Sequence, residues 1–84
     1  MLLNPQEFFG PERAYDMTTA YQRLTYNLDK GQRAIIEDDR MEAQREVAAA
    51  QNQLSVGYCA YLTEARRQNK TPMDLDAVLT ILKN

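Results

Sequence analysis

Two apolar stripes at helical spacing, separated by a short acidic break, constrain this chain more than any other feature. The first stripe comprises Ala14, Met17, Tyr21, Leu24, Leu28 and Ile35, with Gly31 in the one position that lacks an apolar side chain. Steps of three and four residues over about six turns describe one face of a helix in heptad register. The second stripe comprises Met41, Val47, Leu54, Tyr58, Tyr61 and Ala65, with Gln44 and Gln51 as softer members. Between them lies Asp38-Asp39-Arg40. Asp39 and Glu42 have capping-box spacing, which places a turn at 37–40 and starts the next helix at Arg40. A single helix running on through Asp38 and Asp39 is the alternative.

Two long helices joined by a tight turn run antiparallel. With the turn centred on Asp38-Asp39, Leu28 falls beside Val47, Tyr21 beside Leu54 and Tyr58, and Ala14 beside Tyr61 and Ala65. The two stripes then face each other along their whole length, and that agreement carries the prediction of a hairpin. Leu24, Leu28, Val47 and Leu54 are its expected core.

The remaining segments are shorter. Asn4 and Pro5 suit the start of a small helix, and Gly10-Pro11 ends it. Phe8 and Phe9 lie inside it, either folded onto the domain or docked into a partner. Pro11 then opens the first long helix. At the other end, Thr71-Pro72-Met73-Asp74 reads as a helix start, with Thr71 as cap and Pro72 in the first position. The organisation is therefore one all-α domain over 1–84: an N-terminal arm or short helix over 1–10, helices over 11–37 and 40–68, and a third helix over 72–83. It is an antiparallel helical hairpin with a short C-terminal helix, with dimerisation into a bundle as a further expectation. With 84 residues its core is small, so a partner or a second copy would add needed burial.

Composition narrows the chemistry. There is no histidine, and Cys59 is the only cysteine, so neither an intramolecular disulfide nor the usual zinc ligand sets can form. Cys59 sits between Tyr58 and Ala60 on what reads as a packed helix wall, which predicts a buried or half-buried, inert thiol. The acids are scattered over polar faces, and Gly10, Gly31 and Gly57 are isolated rather than gathered in a phosphate loop. No enzyme, no cofactor, no metal and no small-molecule substrate are expected. Ten basic residues against 12 acidic ones give a net charge of −2, which offers no general attraction to nucleic acid or an anionic membrane. Arg33, Arg40, Arg45 and Lys30 gather near the turn but share it with six acids. No stretch is long enough for a membrane span, and the N-terminus does not read as a signal peptide. A cytoplasmic location is the corresponding expectation.

What remains is surplus apolar surface. Tyr15 and Tyr26 fall away from the Ala14-Met17-Tyr21 seam. The last helix carries Leu75, Val78, Leu79 and Leu82 on one face and adds Met73 and Ile81 beside them. With Phe8 and Phe9, these residues are the expected contacts with another protein or a second copy. The leading expectation is a protein-binding adaptor, chaperone or inhibitory regulator. The alternative is a structural or assembly subunit of phage or secretion-apparatus type; a nucleic-acid-binding hairpin comes third.

Overall fold

The computed structural model describes residues 1–83. It consists of helices α1 (Pro5–Arg33), α2 (Glu37–Arg67) and α3 (Leu75–Lys83). Helices α1 and α2 form an antiparallel hairpin, and α3 lies against α1. The molecule is elongated, 49 × 22 × 18 Å.

Helix α1 starts as its sequence dictates. The Asn4 side chain accepts a hydrogen bond from the Gln6 amide at 3.0 Å, and Pro5 occupies the first turn. Gly10 adopts φ 68°, ψ 175°, which breaks α1 into a short basal turn and a long rod. That left-handed geometry is open to glycine, and Pro11 follows without an amide hydrogen to continue the ladder.

The hairpin turn lies at Ala34–Ile36, three residues earlier than expected. Ala34 and Ile36 are extended, and Glu37, Asp38 and Asp39 form the first turn of α2. Three acids at a helix N-terminus are favoured by its partial positive charge. The β-branched pair Ile35-Ile36 suits extended backbone. Arg40 secures the turn by donating to the Ala34 carbonyl at 3.0 Å. Asp39 is thus a first-turn residue, not a cap.

Helix α2 ends in a Schellman motif. Asn69 takes φ 55°, Lys70 N donates to Ala65 O at 2.8 Å, and Asn69 N donates to Arg66 O at 3.1 Å. Helix α3 then begins at Leu75 rather than at Pro72, capped by Asp74, whose side chain accepts from Ala77 N at 2.8 Å. Thr71 is engaged elsewhere. Its backbone pairs with the N-terminal segment through Leu3 N→Thr71 O (3.1 Å) and Thr71 N→Met1 O (2.8 Å).

The contiguous core sits at this basal end. It contains Leu3, Phe9, Met17, Ala20, Leu54, Tyr61, Ala65, Val78 and Leu79. Tyr61 is fully buried and its hydroxyl is a junction: it donates to Leu3 O at 2.7 Å and accepts from Met73 N at 3.0 Å. Tyr58 adds a bond from its hydroxyl to Met73 O at 2.8 Å. N-terminal arm, α2 and the α2–α3 linker are thereby joined.

Away from the base the seam is made of small residues. Gly31 meets Ala43, with 3.5 Å between the Ala43 methyl and the place where a glycine Cβ would stand. Ala43 and Ala50 are buried, as is Asn27, whose amide donates to its own helix at Arg23 O (2.9 Å). The expected pairing holds to within about one residue, but the face is rotated. Met17, Leu24 and Gly31 stay in the seam, while Ala20, Asn27 and Ala34 replace Tyr21, Leu28 and Ile35. On α2, Ala43 and Ala50 replace Gln44 and Gln51, and Met41 is exposed. Small residues let two helices approach closely. Leu54 is buried as expected, Leu24 and Val47 are half-buried, and Leu28 is 46 % exposed.

Candidate interaction surface

The rotation of the seam decides what the hairpin presents. Beyond Leu24 the two helices project as an arm with Leu28, Ile35, Ile36 and Met41 on its outside; Ile35 is 95 % exposed. Helical periodicity puts Thr18, Tyr21, Gln22, Thr25, Leu28 and Gln32 along one flank of α1. Gln44, Ala48, Gln51 and Ser55 run along the same flank of α2. A shallow depression of about 230 Å³ is lined by Asn27, Leu28, Gly31, Gln32, Gln44 and Val47, all of them uncharged. In a chain that is 26 % charged, this uncharged depression sets one side of the arm apart, with the exposed Asp29–Arg33 pair at the outer edge of the same flank. The opposite flank carries charge, including the Arg23–Glu46 pair at 3.9 Å.

The base covers its part of this flank with α3. Thr18, Tyr21 and Gln22 face Asp76, Leu79, Thr80 and Lys83 across a cleft of about 310 Å³. On the other flank a second cleft of about 320 Å³ has Phe8, Phe9, Met17, Val56 and Gly57 in its walls, with Arg13 and Asp16 at its rim. Arg13 lies over the Phe8 ring at 5.9 Å from its centroid.

The residues expected to contact a partner separate into three groups. Phe9, Val78 and Leu79 are buried within the chain itself, so they are core and not contact residues. Phe9 stacks on Tyr61 (centroids 5.9 Å apart), and Phe8, half-buried, meets Phe9 edge-on at 4.9 Å. Met73, Leu75, Ile81 and Leu82 are half-buried. Tyr15 and Tyr26 are exposed, at 70 % and 68 %. Periodicity assigned Leu28, Ile35 and Met41 to the seam and therefore missed them as surface residues. The signal that would have found them is the parallel heptad series of small residues Ala20, Asn27 and Ala34 opposite Ala43 and Ala50.

Among the described residues no group of three or more His, Cys, Asp or Glu side chains is placed to hold a metal ion. Cys59 is exposed, not part of a packed wall as expected, because the rotated α2 face turns it outward. Arg67 and Gln68 hydrogen-bond the Glu64 carboxylate and hold its pKa down at about 2. Burial, with Asp74 nearby, pushes the Tyr58 hydroxyl up. No described helix is long and apolar enough to cross a membrane.

No protein-family model, curated protein or solved structure matches this chain.

Proposed function

We propose that this chain is a helical protein-binding adaptor or chaperone that engages another protein through the apolar side chains exposed along one flank and at the tip of its arm. One observation carries the reading: Leu28, Ile35, Ile36 and Met41 are exposed together where the chain fully buries only Ala43, Ala50 and Asn27. Apolar side chains left outside while small ones fill the seam contribute little to the monomer, and burying them is favourable at roughly 25 cal/mol per Å². An amphipathic segment of a partner would lie over the uncharged depression beside Leu28, leaving the Asp29–Arg33 pair at its edge in water.

The test is capture of partners from native extract by the wild-type chain and by a Leu28→Asp, Ile35→Asp double variant, with helix content checked by circular dichroism. Loss of the specific partner with helix content retained is the expected result. Unchanged capture removes the arm from consideration.

A second reading, an assembly subunit that uses the same strip on another copy of itself, has its own support at the tip. Among the described residues Lys30 on one limb, and Asp38 and Asp39 on the other, have no ion pair, whereas Arg33 pairs with Asp29 and Arg40 with Glu37. Two tips related by a two-fold axis would be self-complementary in charge. Sedimentation of the purified chain over a concentration series separates the readings. A chain that stays monomeric throughout excludes the second.

A further inference from the structure

We infer that the hairpin contains two units of unequal stability on one continuous pair of helices: a base that opens only with global unfolding, and an arm, about 25–53, that opens on its own. This is a property of the free chain and does not depend on any partner.

The contiguous core ends at Ala20 and Leu54. Ala43 and Ala50 are buried, yet they lie outside that core, and the only other buried residue of the arm is Asn27. No large apolar side chain in the arm is fully buried. The base, by contrast, buries Leu3, Phe9, Met17, Leu54, Tyr61 and Val78 and ties three chain segments to the Tyr61 hydroxyl.

Local stability follows buried apolar contact, and helices held by few such contacts open sub-globally. Most helical stability in proteins comes from packing rather than propensity. The Ala48-Ala49-Ala50 run supports α2 through the arm, so opening there is loss of the hairpin seam and fraying from the tip. No proline or glycine hinge is required at the junction. The change in core content alone divides the rod.

Native-state amide exchange, in the regime where closing outruns exchange, reads this directly. Interior amides of the arm, 26–32 and 44–52, should be at least about tenfold less protected than those of α2 at 57–65. Ala50→Gly, in the arm seam, should lower protection about fivefold in the arm and at 57–65 alike, because global unfolding includes opening of the arm. Ala43→Gly repeats the test nearer the tip. Ala65→Gly, in the basal core, should lower protection at 57–65 while arm amides, already exchanging through local opening, stay as they were. Equal protection in the two regions overturns the inference. So does an Ala65→Gly effect of equal size in both.

Discussion

Replacing Tyr61 with phenylalanine isolates the contribution of one hydroxyl, because the ring is retained in its place. The ring is fully buried against Phe8, Phe9 and Tyr58. In the wild-type chain Leu3 O accepts from the Tyr61 hydroxyl, and Met73 N donates to it. Tyr61→Phe leaves both backbone groups without that partner, Leu3 O in a buried site and Met73 N in a part-buried one. A buried polar group left unsatisfied costs about 1–3 kcal/mol, so the expected loss is about 2–4 kcal/mol. For a domain of this size each kcal/mol corresponds to roughly 4–8 °C, giving a fall in Tm of about 10–25 °C. Urea titration followed by circular dichroism measures the loss, with Tyr58→Phe as the control. Tyr58 is half-buried and its hydroxyl serves only Met73 O, so its loss should cost about 1 kcal/mol. A Tyr61→Phe chain within about 0.5 kcal/mol of wild type would refute the argument that this hydroxyl joins the base.

Two further perturbations test the seam and the acid limb. A Cβ on Gly57 would overlap Sδ near the end of the flexible Met17 side chain, which borders a cleft, so Gly57→Ala should gain less than alanine's advantage of about 1 kcal/mol in a helix interior; adding Met17→Ala should make the pair non-additive in urea titration. The Glu64 pKa is depressed to about 2 by hydrogen bonds from Arg67 and Gln68. A depressed carboxylate contributes stability above its unfolded value of about 4.5 and loses it as pH falls towards the folded one, so Glu64→Gln should flatten the pH dependence of Tm between those values.

The fold was legible because helical period, caps and pairing point the same way. Asn4-Pro5 and Gly10-Pro11 carry their geometry in their own residues, and the antiparallel pairing follows from two stripes of matching length. The third-helix start was displaced because two cap candidates, Thr71 and Asp74, lie within a few residues of each other, and the turn because the residue that caps α2, Ile36, makes no side-chain cap hydrogen bond and so leaves no cap signal. Asp39 has capping-box spacing, but three acids gain more inside the first turn of α2 than one gains as its cap. Thr71 likewise reads as a cap until its backbone is claimed by Met1 and Leu3, a partner some 70 residues away that local pattern does not show. Val78 and Leu79 read as surplus apolar surface for the same reason. Their counterparts, Phe9 and Tyr61, arrive from distant parts of the chain.

The seam rotation is the deeper cause of the misplaced surface. Apolar periodicity assigns the largest side chains to the interior, but two helices in close contact bury what fits between them. Leu28 and Asn27 are neighbours, and it is the asparagine that is buried. The consequence is measurable. If Leu28, Ile35 and Met41 served the chain's own fold, replacing all three with glutamine would cost several kcal/mol, because a buried leucine truncated in a core costs about 2–5 on its own. Exposed as they are, each substitution should fall within about 0.5 kcal/mol, while Leu54→Ala, in the core, should cost the full 2–5. Urea titration of the triple variant beside Leu54→Ala compares the two directly. A triple variant as destabilised as Leu54→Ala would return these residues to the interior and take away the basis for a binding surface on the arm. A triple variant of unchanged stability leaves them exposed without a role in the monomer, which is the condition under which an apolar strip is available to a partner.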